Sequence, residues 1–343
     1  MSDFIALTID RVDLIHLRIP LEEPFRISGG QVSEKDAILV QVRADGLVGH
    51  GESSPMAAGF GYSADTPESC WDDLVERIAP RVLGKTIDCL RAVTTLVGLI
   101  PGSNFAKAGV ETALWDLWGK AVGKPLALML GGVRQRVESG LAVGLYPSTQ
   151  ELLDRIALHL AGGYRRVKIK IKPGSDVQLV EAVRHRFGDI PLFVDANAAY
   201  TLNDIEVFRE LDKFRLMMFE QPFAADDWEG LSRLQDAVET TICVDESAKS
   251  SEATGELIRR GCCRIVNIKI QRVGGLGPAR ELHDLCQQFP AGSAACRNWE
   301  WVRRRGSTWR PCRIARFPLT SSQACGGSWT TTRTRSSRWT SME

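Results

Sequence analysis

The second half of this 343-residue chain alternates between strand-like runs and helix-like segments. The short apolar runs are residues 140–145, 166–171, 191–195, 216–220, 241–245 and 264–269. Segments with helical periodicity follow them at residues 151–161, 176–187, 202–211, 227–238, 250–260 and 277–288. Strands that alternate with helices of this length predict a parallel sheet with crossover connections. Six such units in series favour a (β/α) barrel over a doubly wound sheet, and no GxGxxG follows the first strand to indicate dinucleotide binding.

Five charged residues lie where these predicted strands end. Lys170, Asp195, Glu220, Asp245 and Lys269 are separated by 25, 25, 25 and 24 residues, and this interval is about the length of one strand–helix unit. We therefore expect all five at one level on consecutive strands, at the carboxyl-terminal face where barrel enzymes have their active sites. A strand-terminal Asp is often only the N-cap of the next helix. The even spacing of the whole set favours a site.

The strand at residues 166–171 alternates strictly between two kinds of side chain. Its β-branched residues face one way, and Lys168 and Lys170 face the other, as the period of a β-strand requires. A half-exposed strand would keep these lysines in water. In a parallel sheet with both faces covered, however, lysines are costly unless a cleft solvates them or anions pair with them. This pattern favours a site at Lys168 and Lys170.

The charges of the five residues indicate a reaction type. Three converging carboxylates repel one another unless a cation joins them, and oxygen ligands with open positions for substrate favour Mg2+, or Mn2+ in its place. Such an ion, bound to a substrate carboxylate, stabilises the enediolate that forms when the α-proton leaves. We expect Lys170 to be the base, because the metal and the ammonium of Lys168 disfavour its protonated form. Lys269 would lie across the substrate from it.

The first part of the chain predicts a compact α+β domain. Residues 6–19 and 37–53 alternate like antiparallel strands, whereas residues 66–97 and 103–122 have helical spacing. The Pro- and Gly-rich stretch at residues 20–31 predicts a mobile loop. We therefore divide the chain into three parts. These are an α+β domain at residues 1–134, six barrel units at residues 135–289 and a tail at residues 290–343.

On these motifs the chain resembles the enolase superfamily, in its muconate lactonizing branch. The motifs are VKIKIKPGSD (167–176), VDANAAYTLND (194–204), FEQP (219–222), VDES (244–247) and IVNIKIQRVGGLGPARELHD (265–284), with PFRISGG (24–30) and ALWDLWGK (113–120) upstream. The resemblance covers about residues 5–289. It implies that the N-terminal domain caps the barrel and closes the site with mobile loops. Within that branch the chain is most similar to the o-succinylbenzoate synthases and the N-acylamino acid racemases.

This resemblance implies the same metal and base residues. Asp195, Glu220 and Asp245 would hold Mg2+, and Lys170 would take the α-proton of a small carboxylate substrate. Loss of the β-hydroxyl as water would make the chain a hydro-lyase of menaquinone biosynthesis, with Lys269 stabilising the intermediate. In a racemase Lys269 would instead deliver a proton to the opposite face. Both reactions use the same residues, so both alternatives stay open.

Three further residues are expected to contact the substrate. Asn197 follows the first predicted metal ligand, and Ser28 and Arg26 lie in the predicted loop. Substrate specificity would depend on the loops at residues 24–30 and 49–55 and on the last barrel unit.

The tail at residues 290–343 does not match the rest of the chain. It has ten arginines, no lysine and two acids, and so carries a net charge of +8 against −7 for residues 1–289. A basic extension or a nucleic-acid-binding arm would explain the charge, but the negative body opposes binding to nucleic acid. An excess of arginine, tryptophan, serine and threonine is also typical of a GC-rich gene translated out of frame. We favour this last explanation and expect no nucleic-acid partner.

The tail replaces the last units that an eight-unit barrel needs. Six strands of an eight-strand design leave two unpaired edges and exposed apolar helix faces. This consideration predicts that the chain folds poorly and has little activity. It leaves open a different class of function, in which the chain is an inactive remnant of an enzyme.

The remaining features predict a cytoplasmic location. No window approaches the roughly 18 apolar residues of a membrane span, and the N-terminus has acids but no basic region of a secretion signal. The nine cysteines include no CxxC pair, so we expect reduced thiols. The expected partner is a small-molecule carboxylate, with no membrane contact. A homo-oligomer is compatible with the sequence.

Overall fold

The computed structural model describes residues 5–57, 62–134, 136 and 139–289, together with the backbone of residues 332–340. Most of the anomalous tail therefore lies outside the described residues. So do the predictions of disorder and of a shifted frame, apart from residues 332–340, whose backbone is a strand.

The N-terminal part is an antiparallel sheet covered by helices. Its strands are β1 (Leu7–Thr8), β2 (Arg11–Ile27), β3 (Gly30–Ala44), β4 (Leu47–Ser53) and β5 (Thr86–Ile87). Its helices are α1 (Pro67–Asp72), α2 (Ala79–Val82), α3 (Leu90–Gly98), α4 (Asn104–Ala121) and α5 (Leu126–Met129), with a π-helical turn at Asp73–Ile78. Strand β1 pairs with β5, and β2, β3 and β4 form a meander.

The prediction of a loop at residues 20–31 is wrong, whereas the mobility of this stretch stays a prediction. Strand β2 runs through to Ile27, and β3 begins at Gly30, so the two strands form a long hairpin. The pairing is irregular between Pro20 and Phe25, a stretch that contains Pro24, which has no backbone N–H to donate to a ladder. The Pro and Gly content therefore marks an irregularity and a tight turn within a hairpin.

Helix α4 packs directly on β4 because two glycines allow it. A Cβ atom on Gly49 would lie 2.1 Å from the carbonyl oxygen of Ala113, and one on Gly51 would lie 2.1 Å from that of Gly109. Real side chains cannot make such contacts. This close packing fixes α4 as the central, largely buried helix of the N-terminal part.

The second part contains six parallel strands in one sheet. They are β6 (Gly140–Val143), β7 (Arg166–Lys170), β8 (Leu192–Asp195), β9 (Phe219–Glu220), β10 (Ile242–Val244) and β11 (Ile265–Val266). Each strand pairs with its neighbours in chain order, from β6 to β11. The strand prediction is thus confirmed, with shorter strands than expected. Within the described residues, β6 and β11 are the two edges of this sheet.

Helices follow the strands as predicted. They are α6 (Thr149–Ala161), α7 (Val177–Phe187), α8 (Ile205–Asp212), α9 (Trp228–Ala237), α10 (Ser251–Arg259), α11 (Ile270–Val273) and α12 (Leu276–Gln287). The side chains of Ser148, Asp176, Asp227 and Ser250 cap α6, α7, α9 and α10. Neither Asp195 nor Asp245 is a helix cap, so that ordinary explanation of the two acids does not hold.

The two faces of the parallel sheet have different side chains. Val167, Ile169 and Ile171 belong to the large core between the sheet and its helices. On the opposite face, a smaller apolar cluster of Phe193, Met218, Cys243 and Ile265 lies below the charged residues. Since side chains alternate along a strand, the charged residues at the strand ends share this inner face.

The last described strand, β12 (Thr332–Thr340), belongs to the N-terminal sheet. It pairs antiparallel with β2 at the edge opposite β4.

No helix in the part of the chain that the structure describes is both long and apolar enough to cross a bilayer. Cys70, Cys89, Cys243, Cys262 and Cys263 are free thiols, in agreement with the prediction of reduced thiols for these five residues.

Candidate active site

The first three of the five predicted residues lie side by side. Lys170 is the register partner of Asp195, and Asp195 is the partner of Glu220. All three side chains are buried, and Glu220 is fully inaccessible. For these three residues, the interval of 25 residues correctly predicted a common level.

The expectation of one level fails for the other two residues. Glu220 pairs with Cys243, so Asp245 lies two residues further along its strand. Val244 pairs with Val266, which places Lys269 further along again. A stagger between strands is characteristic of barrels. Because a shift of two residues keeps a side chain on the same face, the residues still converge.

Lys168 joins two of the carboxylates. Its Nζ lies 2.7 Å from Asp195 Oδ2 and 2.8 Å from Glu220 Oε1. Burial disfavours the ammonium, but the surrounding carboxylates, led by Asp195, raise the pKa of Lys168 well above its ordinary value. Lys168 therefore carries the positive charge between β8 and β9.

Lys170 is in a different electrostatic position. Its Nζ donates to Asp195 Oδ2 and to Asn197 Oδ1, each at 2.6 Å. Burial lowers the pKa of Lys170 below its usual range; Asp195 opposes this shift, and the charge of Lys168 adds to it. The neutral amine that a general base needs is thus more accessible at Lys170 than at Lys168.

The second lysine lies at the other end of the carboxylate row. Lys269 Nζ donates to Asp245 Oδ2 at 2.5 Å and also contacts the hydroxyl of Tyr62. Arg272 Nε lies 3.4 Å from Asp245 Oδ1, and its guanidinium covers the Tyr62 ring at 4.7 Å. Burial disfavours the charge on Lys269, but Asp245 outweighs it and raises the pKa. Lys269 is therefore protonated.

The carboxylates keep oxygen atoms that no hydrogen bond satisfies. Glu220 Oε2 and Asp245 Oδ1 are buried and have no hydrogen-bond partner in the structure. Burial, with the charges of Asp195 and Asp245, raises the pKa of Glu220 above its usual range. Across the described residues, no three acidic, histidine or cysteine side chains are arranged to hold a metal ion. The oxygen donor set nevertheless suits a hard cation, because burial leaves two carboxylate oxygens without partners.

The three predicted substrate contacts have different positions. Asn197 lies in the site, where its Nδ2 donates to Glu246 Oε1 at 3.2 Å, and its backbone has a positive φ of 44°. Ser28, at the tip of the β2–β3 hairpin, donates to the carbonyl oxygen of Ala196 at 3.3 Å. The guanidinium of Arg26 instead bonds Gln31 in its own hairpin. Its contact with substrate stays a prediction.

Sequence reasoning missed four residues of this cluster. Glu246 follows Asp245 directly, and burial with that neighbouring charge raises its pKa to about 7. Asn267 donates to Glu220 Oε1 at 3.1 Å and lies two residues before Lys269, a spacing that could have revealed it. Arg272 is one turn after Lys269. Tyr62 comes from the N-terminal part, 207 residues away, and carries no signal in the sequence.

A two-domain architecture with acids and lysines at the ends of parallel strands defines a class of barrel enzymes, and comparisons with known proteins agree. A family model described as "Enolase C-terminal domain-like" matches residues 151–299. One described as "Mandelate racemase / muconate lactonizing enzyme, N-terminal domain" matches residues 10–131. The chain belongs to the enolase superfamily, and its N-terminal part is the capping domain of that fold.

Relatives of known name are similar over most of the chain. An o-succinylbenzoate synthase of Geobacillus stearothermophilus is 43% identical over 284 residues, which cover 82% of this chain and 76% of the relative. An N-succinylamino acid racemase of Thermus thermophilus is 37% identical, with the same coverage. The similar solved structures include one described as an unknown member of the enolase superfamily from Enterococcus faecalis. It is 34% identical with a TM-score of 0.77, and the match covers 85% of this chain and 78% of that one.

Proposed function

We propose that this chain is an o-succinylbenzoate synthase-like hydro-lyase that removes the α-proton of a carboxylate substrate with Lys170. The observation that carries the proposal is the row of buried acids with a lysine at each end. Lys170 has a lowered pKa at the β7 end, whereas Lys269 is protonated beyond β11. The 43% identity to a synthase of that name supports the substrate class.

A divalent cation belongs to this proposal. Asp195, Glu220 and Asp245 would hold Mg2+, or Mn2+, through oxygens that include the two buried atoms without hydrogen-bond partners. When bound, the ion would supply positive charge to the substrate carboxylate as its α-proton leaves.

The chain's own residues would perform the proton transfer. Lys170, held by Asn197 and Asp195, would accept the α-proton through Nζ. The ammonium of Lys269 would stabilise the negative charge on the substrate from the other side. Tyr62 would help to exclude water, because its partly buried ring covers Lys269 and Arg272. Loss of the β-hydroxyl as water would complete the dehydration.

N-acylamino acid racemisation is the second candidate, and the same pair of lysines favours it. If Lys269 delivers its proton to the face opposite Lys170, the product is the other enantiomer. The similarity to a racemase of Thermus thermophilus supports this candidate.

An inactive remnant is the alternative of another class. One observation favours it: the parallel sheet of the described residues has two unpaired edges, at β6 and β11. Against it, the charged side chains at the strand ends are held in ion pairs: Lys168 pairs with Asp195 and Glu220, Lys170 pairs with Asp195, and Lys269 pairs with Asp245.

Because the tail replaces the last barrel units, we expect the purified chain to dehydrate the β-hydroxy acid precursor of o-succinylbenzoate slowly, only when Mg2+ is present, and to lose this activity in EDTA. Product formation would be followed by chromatography, and N-succinylphenylalanine of each hand would be assayed beside it for racemisation. Circular dichroism and thermal unfolding provide the control for folding. A cooperatively folded chain that converts neither substrate contradicts the proposal and supports the remnant.

A further inference from the structure

A buried acid of the capping domain contacts the segment that carries Lys269. Glu111 lies in the middle of α4 and is 1% exposed. Its Oε2 accepts from the backbone N–H of Leu276 at 2.7 Å, and its Oε1 accepts from that of Gly277 at 2.9 Å. The side chains of Trp115 and Thr94 also donate to Oε1, at 2.8 and 3.3 Å. All four described partners of the carboxylate are therefore hydrogen-bond donors.

These two amides begin α12, and α12 has no cap of its own. The first amides of a helix have no partner within it. The N-cap residue of α12 is Gly275, which has no side chain to supply one. A carboxylate at this end also interacts favourably with the helix dipole. Glu111 thus does from another domain what an N-cap side chain usually does.

The backbone at Gly275 and Gly277 lies so close to the Glu111 carboxylate that neither position has room for a side chain. Gly275 has a φ of 144°, and a Cβ atom on it would lie 2.4 Å from Glu111 Oε2. A Cβ atom on Gly277 would lie 2.9 Å from Glu111 Oε1 and 2.0 Å from Thr94 Oγ1. Both glycines are therefore required by the approach of the acid to the backbone.

A short, hydrogen-bonded stretch of backbone joins Lys269 to the amides of Leu276 and Gly277. Lys269 precedes α11, and its carbonyl accepts from the N–H of Val273 at 3.2 Å. The amides of Gly274 and Gly275 then close on the carbonyl of Ile270 at 3.1 and 2.9 Å. These backbone hydrogen bonds constrain the chain between Lys269 and the amides that donate to Glu111.

A second contact from α4 supports the same segment. Asn104, two turns before Glu111, donates through Nδ2 to the carbonyl oxygen of Arg272 at 2.8 Å. The side chain of Leu276 packs into the core of the capping domain. Helix α4 thus contacts both ends of the segment that runs from residue 272 to residue 277.

We propose that Glu111 is a positioning residue, through which the capping domain fixes the segment that carries Lys269 and so aims its ammonium into the site. This inference rests on the proposed function only for the role of Lys269. Glu111 touches no reacting atom and acts through the backbone of residues 269–277. Burial raises its pKa to about 7, and the two amides favour its charged form.

The test compares Glu111→Gln with Asp116→Asn in the full chain at about pH 8, where a carboxyl of pKa 7 is mainly ionised. Glutamine has nearly the same shape as glutamate, but an N–H2 group replaces one of the two accepting oxygens. The hydrogen bonds that this oxygen accepts are therefore lost. Asp116 is also on α4, but it contacts His50 and Lys120 instead of α12.

The first readout is amide hydrogen exchange resolved to single residues. Since residue 278 is proline, Leu276 and Gly277 are the amides to follow, and Ala279, bonded to the Gly275 carbonyl, is the internal reference. In Glu111→Gln we expect both amides to exchange at least about tenfold faster, whereas Asp116→Asn leaves them unchanged. Unchanged exchange in Glu111→Gln overturns the proposal.

The second readout reports on Lys269 without any activity. Acylation by acetic anhydride in EDTA, measured by mass spectrometry against exposed Lys213, should speed up at Lys269 by at least about threefold in Glu111→Gln. Faster amide exchange without this change would show that Glu111 only caps a helix, which also overturns the positioning role.

The third readout distinguishes an effect of Glu111 on Lys269 from a lack of proton transfer in the unchanged chain. Exchange of the α-proton of D- and L-N-succinylphenylalanine in D2O should fall by about tenfold for the enantiomer that depends on Lys269, and by less than twofold for the other. Equal losses for both enantiomers overturn the proposal. If the unchanged chain exchanges neither enantiomer, the racemase candidate fails, and the amide and acylation readouts still decide the role of Glu111.

Discussion

Replacing Lys170 with alanine should lower kcat for the proposed dehydration by about a thousandfold or more, because positioned general bases contribute up to about four orders of magnitude. Lys170 Nζ is the amine that burial shifts toward its neutral form, and Asn197 and Asp195 hold it in place. No other described lysine with a lowered pKa lies in the site. The measurement is steady-state kinetics with saturating Mg2+.

Lys172→Ala is the matched control for this change. Lys172 lies two residues further along the same segment, but its side chain is exposed. Its kinetics should stay within about twofold of the original chain, since exposed substitutions usually have small effects. A Lys170→Ala chain that keeps more than a tenth of the original kcat contradicts the assignment of the base.

Glu220→Gln should lower Mg2+-dependent activity by at least about a hundredfold and raise the Mg2+ concentration for half-activation by at least about tenfold. Glu220 is the central acid of the row, and its Oε2 is buried without a hydrogen-bond partner. Glutamine keeps the shape of the side chain but removes its charge. The measurement is a titration of activity with MgCl2.

The same substitution should also destabilise the metal-free chain. Lys168, whose side chain is 14% exposed, would lose one of its two carboxylate partners, and breaking a buried ion pair costs about 3–5 kcal/mol. Glu229→Gln is the control, because Glu229 is an exposed acid paired with Arg233 on α9. If Glu220→Gln responds to Mg2+ like the original chain, Glu220 is not a ligand.

The sequence predicted the elements of the parallel sheet well because they depend on local periodicity. Each strand–helix unit repeats after about 25 residues, and this interval alone brought out Lys170, Asp195 and Glu220 as neighbours. The level of Asp245 could not be predicted in this way. The stagger of β10 against β9 depends on how the strands tilt against one another in the sheet, which the local pattern of one strand–helix unit does not specify.

Other misses have equally specific causes. Residues 20–31 were expected to form a loop because Pro and Gly usually end strands, whereas in the hairpin they fall where β2 and β3 lose their register. Tyr62 reaches Lys269 from 207 residues away, and only tertiary packing brings them together. Glu111 lies within a helical pattern that accounts for its neighbours, so nothing in the sequence marks it as a buried acid.

Exchange of the substrate α-proton with D2O by the intact chain is the measurement that tests the central assignment most directly. Proton abstraction needs only the residues described here, so it does not depend on whether dehydration or racemisation follows. N-succinylphenylalanine and Mg2+ would be incubated with the chain, with its Lys170→Ala variant and with EDTA, and deuterium would be counted by mass spectrometry. We predict incorporation that requires both Mg2+ and Lys170. A folded chain that neither incorporates deuterium nor dehydrates the β-hydroxy acid precursor, or that incorporates deuterium equally well without Lys170, would contradict it.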